Sequence, residues 1–377
     1  NPDLQTPPGK EGVDTVLDHL FSFGTGSLDR LAFQRALDEI AANLTAGTDF
    51  SLEVPAAHLE RGVELLAANE LGPALPPGAF LTMRQEVAGA VAGELQSPGY
   101  KASRALASGL FPAGDPTLRQ ATPETVSSLT LEDAKDYHGK VFRPDMTTIV
   151  VIGKVDSGRA RAVIEKHFGA WKAAGPKPDT LLPPVPLSKP SSVTVPDPSR
   201  VQDEVTLAQT LGLVRSDPAY YALELGNHVL GSGFYATRLY QDLREKTGLV
   251  YAVSSSFDVG RTRSVYQVYY GCDPPNVSKA RAIIERDLKE MQTSHVAPER
   301  LHLAKAMLLR GIPLSESSVE HLAQGYIHRV KLGLPLNEPE RAARRYYKLS
   351  AEEVRAAFGK YVRPADMVQV TQGPNPP

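Results

Sequence analysis

Apolar residues along this chain recur at two different spacings. Phe33, Leu37, Ile40 and Leu44 share one face at helical spacing, which predicts an amphipathic helix over residues 31–44. Residues 49–54 instead alternate polar and apolar side chains, the period of a strand. Helical spacing returns over 57–71 and 83–95. Beyond residue 190 the pattern predicts strands at 192–195 and 205–209 and helices at 219–230 and 240–246. Residues 250–257 and 264–270 read as a strand pair, with further helices at 278–291, 298–309 and 317–330. Long helices set against antiparallel strands predict an α+β protein. The expected form is two related α/β sandwich domains with antiparallel-rich sheets and helices packed on one face.

The clearest break lies at 173–190, where six prolines fall in a stretch without periodicity. Such a segment is a stiff, extended connector. It predicts a first domain at 1–172, a linker at 173–190 and a second domain at 191–377. The two blocks end alike. Leu129-Thr130 opens a run with early acids, Gly139-Lys140 and Arg143-Pro144, and Leu349-Ser350 opens the same order with Gly359-Lys360 and Arg363-Pro364. A Thr or Ser cap with acids in the first turn starts a helix, and Gly followed by Pro is expected to stop it. A strand-like run follows each, at 147–153 and 367–371. The shared order, 220 residues apart, suggests duplication. Shifting the strands at 192–209 back by that offset lands before residue 1. This predicts a first block without its opening strands, as in a fragment or the later part of a larger polypeptide.

Composition narrows the function classes. The net charge of −2, without a Lys/Arg stripe, offers no footprint for nucleic acid. The single cysteine, Cys272, excludes an internal disulfide framework. No apolar run reaches the length of a membrane span. The sequence fits a soluble protein and does not choose between bacterial cytoplasm and periplasm.

Candidate chemistry begins at Thr15-Val16-Leu17-Asp18-His19. The inverted zinc motif H-x-x-E-H places two imidazoles on one helical face with a carboxylate base between them. Here Thr15 and Asp18 replace the first His and the Glu, and His19 alone keeps its type. The run Pro7-Pro8-Gly9-Lys10-Glu11-Gly12-Val13-Asp14 through His19 to Gly24-Thr25 resembles the insulinase- or pitrilysin-like zinc peptidases, the M16 family. That family includes mitochondrial processing peptidases and their non-catalytic partners. The resemblance implies that Thr15 and His19 stand at ligand positions and Asp18 at the catalytic base. Glu94, 75 residues after His19, matches the third ligand by position, and Val87 replaces an earlier Glu. One imidazole and one carboxylate are poor equipment for catalytic zinc, which takes three protein ligands and an open water position. No metal is therefore expected in this chain. Zinc is expected in a catalytic partner or an upstream half.

The second block resembles the same family through Thr237-Arg238-Leu239-Tyr240-Gln241-Asp242-Leu243-Arg244-Glu245-Lys246-Thr247-Gly248-Leu249-Val250-Tyr251. The resemblance implies that Arg244 and Tyr251 bind the substrate backbone and help stabilise the reacting carbonyl. The residue types suit that work, since a guanidinium and a phenol both donate hydrogen bonds. Gly248 suits the tight reversal between them. Upstream, Gly231-Ser232-Gly233-Phe234 reads either as a substrate-facing loop or as a plain flexible connection. An exposed sheet edge would allow an extended peptide to add as a strand. His321 and His328 lack a third ligand nearby, and Arg341, Arg344 and Arg345 read as a solvated helix face.

The function expected is that of a non-catalytic half or subunit of a zinc endopeptidase, not a protease by itself. Its expected partners are a zinc-bearing M16 half or subunit and an extended peptide or small unfolded protein. Two rivals are a metallopeptidase with a remodelled zinc site and a structural assembly subunit, as in respiratory core proteins of related fold.

Overall fold

Val13, Val16, Leu17 and Leu20 form one buried stripe along the helix Val13–Leu20. The structure, a computed structural model, describes residues 1–233 and 235–374. This stripe packs with Phe21, Phe80, Val87, Val126, Leu129, Ala134 and Tyr137. It lies in the first of two compact units, Asn1–Leu95 with Arg119–Thr180; the second is Gln96–Leu118 with Leu181–Pro377.

In the first unit the expected helix at 31–44 is shorter, Arg30–Asp38. Ala41 adopts φ 50°, and Ala42 N–H returns to the Leu37 carbonyl at 2.9 Å. Asn43–Thr45 (β1) then pairs antiparallel with Ser51–Glu53 (β2). Leu44 therefore belongs to a hairpin, because ladder pairing overrides its helical spacing. Helices Leu59–Leu71 and Ser157–Phe168 pack through Val63, Ala67, Val163 and Phe168.

The two helices related by 220 residues share their start in detail. Leu131–Val141 and Ala351–Tyr361 each open on a capping box, Thr130 with Asp133 and Ser350 with Glu353. Their ends depart from expectation. Gly139 and Gly359 lie inside the helices, which end two residues later at Val141 and Tyr361, with C-caps Phe142 and Val362. The stop comes from Arg143-Pro144 and Arg363-Pro364, since a residue before proline is driven out of the helical region.

The strand-like run expected at 147–153 has no strand assignment and leaves Ile149 and Val151 about two-fifths exposed. A strand requires a ladder partner. Among the described residues of this unit, β1 and β2 pair only with each other.

The second unit is built on five strands: Ser191–Pro196 (β3), Asp203–Leu211 (β4), Val250–Val259 (β5), Ser264–Cys272 (β6) and Val368–Gly373 (β7). Their order is β3-β7-β4-β6-β5, with only β3–β7 parallel. Val205, Leu207, Tyr266, Val268 and Tyr270 point to one face, against Leu223, Leu230, Ile284, Leu288 and Phe358. On the opposite face, Leu106, Leu110 and Phe111 meet Ala208, Val265 and Val368. Leu106 and Leu110 belong to the helix Pro98–Leu110, which precedes the proline-rich stretch in sequence yet sits in the second unit. Its approach is close. A Cβ at Gly109 would lie 2.6 Å from Val368 Cγ1.

Candidate functional site

The apolar spacing of helix Val13–Leu20 decides where its polar residues go. With 13, 16, 17 and 20 buried, Thr15 and His19 are exposed one turn apart. Asp18 is half-buried, and its carboxylate accepts from Thr48 Oγ1 at 3.1 Å. Burial is the largest influence on that carboxyl and pushes its pKa up, against the Thr48 hydrogen bond. Glu94 is exposed near the end of helix Pro77–Gln96, whose buried side chains are Phe80 and Val87. Among the described residues, no group of three or more His, Cys, Asp or Glu side chains could hold a metal ion. A catalytic zinc does not fit this donor set. Thr15 offers a neutral hydroxyl, and Asp18 is engaged by Thr48.

Arg244 and Tyr251 come together in the second unit. Thr237 caps the short helix Arg238–Tyr240, and a single wider turn, Gln241–Glu245, carries Arg244. Leu239 and Leu243 anchor this segment in the core. Gly248, at φ 63°, makes the reversal into β5, and Leu249 N–H bonds the Leu243 carbonyl at 2.9 Å. The Arg244 guanidinium then donates to the Val250 carbonyl at 3.1 Å and lies 5.5 Å from the Tyr251 ring centroid.

Tyr251 sits at a break in the ladder. Val250 pairs with Cys272 and Ala252 with Gly271, leaving Tyr251 as the extra residue of a β-bulge. The bulge turns its ring outward, about half exposed, with the hydroxyl donating to Asp273 Oδ2 at 3.1 Å and Oδ1 at 3.2 Å. Sequence reasoning missed Asp273. Its signal was local: an acid at the end of a strand, before two prolines that carry no N–H.

Among the described residues β5 is an edge strand, as the peptide-addition idea requires, and the helix layer bonds it at Ser255. Asn227 Nδ2 donates to the Ser255 carbonyl at 3.0 Å, and Ser255 Oγ donates to Asn227 Oδ1 at 2.6 Å. The upstream loop begins as the turn His228–Ser232; Phe234 lies outside the described residues.

The remaining candidates stay apart from this pair. His321 and His328 are exposed on helix Val319–Lys331. Arg344 and Arg345 meet Glu340 and Glu353 at 3.7 and 2.8 Å, and Arg341 is exposed. Cys272 is buried, and burial pushes its thiol pKa up to about 12, which removes it as a nucleophile near neutral pH. Among the described residues no helix is long and apolar enough to cross a membrane.

Comparison with known proteins gives similarities to one family. Residues 128–308 match the family model of the peptidase M16 inactive domain. The chain is 26% identical over 317 residues to an uncharacterized zinc protease of Mycobacterium leprae, covering 80% of this chain and 69% of that protein. It is 21% identical over 364 residues to the non-peptidase homolog YmxG of Helicobacter pylori, covering 91% and 80%. The fold matches the crystal structure of a peptidase M16 inactive domain from Pseudomonas fluorescens with a TM-score of 0.85, at 24% identity, over 98% of this chain and 90% of that one. Residues 128–308 thus carry the peptidase M16 inactive domain, and the fold of the chain is that of the solved M16 inactive domain.

Proposed function

We propose that this chain is the substrate-binding half or subunit of a zinc endopeptidase whose metal lies elsewhere, upstream in the same polypeptide or in a partner chain. Arg244 and Tyr251 bind the backbone of an extended peptide or small unfolded protein and donate hydrogen bonds to the reacting carbonyl. The observation that carries this reading is the convergence of the pair. A guanidinium and a half-exposed phenol lie side by side at a bulge, each on backbone anchored in the core. Donors fixed before the charge develops are what carbonyl stabilisation needs. The organisation proposed is a first M16-like domain at 1–172, a connector at 173–190 and a second domain at 191–377 carrying the pair, with helix Pro98–Leu110 of the first stretch packed on the sheet of the second.

The test is reconstitution with a zinc-bearing M16 half or subunit and a fluorogenic peptide. Arg244→Ala and Tyr251→Phe are each expected to lower kcat/KM by roughly 10²-fold, the loss of one oxyanion donor. Turnover unchanged by both variants would favour a purely structural assembly role. Stoichiometric zinc with chelator-sensitive cleavage by this chain alone would overturn the non-catalytic reading in favour of a remodelled metal site.

A further inference from the structure

A phenol carries one proton and donates it to one acceptor at a time. In this structure the Tyr251 hydroxyl faces the Asp273 carboxylate, 3.1 Å from Oδ2 and 3.2 Å from Oδ1, and donates its proton there. Asp273 holds the N-cap position of the short helix Pro274–Asn276 but makes no side-chain cap hydrogen bond. Pro274 and Pro275 have no N–H to offer, and Asn276 N–H bonds the Asp273 backbone carbonyl at 2.9 Å. The carboxylate is left for Tyr251. The ladder delivers the two to each other, because Val250 pairs with Cys272 and the bulge follows immediately. Arg244 fixes the same corner through the Val250 carbonyl.

We propose that Asp273 is a positioning residue that holds the Tyr251 hydroxyl in the unliganded chain, so that a peptide carbonyl gains Tyr251 only by displacing a carboxylate. This rests on the peptide-binding reading above. A hydrogen bond to an ionised acceptor is about twice as strong as one to a neutral acceptor. Asp273 therefore sets how readily the tyrosine changes partner. Asp273→Asn keeps the shape and offers a neutral acceptor.

Two measurements on the full chain test this. Ultraviolet resonance Raman difference spectra, each protein against its Tyr251→Phe counterpart, isolate the hydrogen-bond state of this one tyrosine. Wild type is expected to show a strong donor to an anion, and Asp273→Asn to lose that signature. Fluorescence anisotropy with a labelled, unstructured peptide is expected to show binding tightened about five-fold by Asp273→Asn and unaffected by it in the Tyr251→Phe background. An unchanged Raman signature overturns the proposal. So does an equal affinity shift in both backgrounds, which would mean that Asp273 acts other than through Tyr251. If the Raman change appears but wild type and variants all fail to bind the peptide, the peptide-binding reading falls while the positioning of Tyr251 stands.

Discussion

Glu70 is buried on helix Leu59–Leu71, and desolvation lifts its carboxyl from the ordinary 4.5 to about 7. The sign of the consequence follows from linkage. Between those two values the folded chain holds a proton that the unfolded chain has released, so stability falls as pH rises from about 4.5 to about 7. The loss is on the order of 3 kcal/mol. His138, whose Nε2 lies 2.7 Å from the Glu70 carbonyl, acts in the opposite direction. Burial lowers its pKa, so its contribution is present above the unfolded value of 6.5 and is lost as pH falls below it through the folded value. Glu70→Gln separates the two. Hydrogen exchange of the Leu59–Leu71 amides at pH 5 and pH 7.5 should show a smaller drop in protection for the variant than for wild type. An equal drop would remove Glu70 as the cause. The same scale holds the contrast between the two candidate sites. Thr15 and His19 face solvent, whereas Arg244 and Tyr251 are placed against each other by buried neighbours.

Elements pack here with little slack. Helix Ala219–Asn227 crosses Ala351–Tyr361 at Gly226, where an added Cβ would lie 2.4 Å from Phe358 Cε2 and 2.8 Å from Val354 Cγ1. Phe358 and Val354 are both fully buried, so neither has space to yield. Gly226→Ala is expected to cost about 1–3 kcal/mol, despite alanine's better helix propensity. Denaturant unfolding monitored in the second unit would check it, and a stabilised variant would contradict the packing. The helix also reaches the strand of the candidate site. Its last residue, Asn227, bonds the Ser255 carbonyl and so ties the helix layer to β5, the strand that carries Tyr251.

At the scale of the whole molecule, the second unit borrows a helix from far upstream. Pro98–Leu110 precedes the proline-rich stretch yet covers the β3-β7-β4 part of the sheet, with Leu110 buried beside Ala208 and Val368. A fragment of residues 191–377 would leave that apolar face bare, a patch that invites aggregation. It is expected to be poorly soluble alone and to become soluble when co-expressed with 1–190. In the full chain, Leu110→Ala should cost about 2–5 kcal/mol. A monomeric, cooperatively folding 191–377 fragment would contradict this account of the sheet.

Local signals in the sequence determined much of this. The helix caps at Thr130 and Ser350, the apolar positions Val16, Leu17 and Leu20, and the strand pair joined by residues 260–263 were legible because each depends on residues close in the chain. So was the degraded zinc motif, which is a matter of residue type and spacing. Tertiary structure alone decided the rest. Leu44 left its helix for a hairpin, and 147–153 lost its strand for want of a ladder partner. Helix Pro98–Leu110 joined the distant sheet, and Asp273 came to hold Tyr251. Pairing and burial are made between residues far apart in sequence, and periodicity shows which face a residue takes but not what that face will meet.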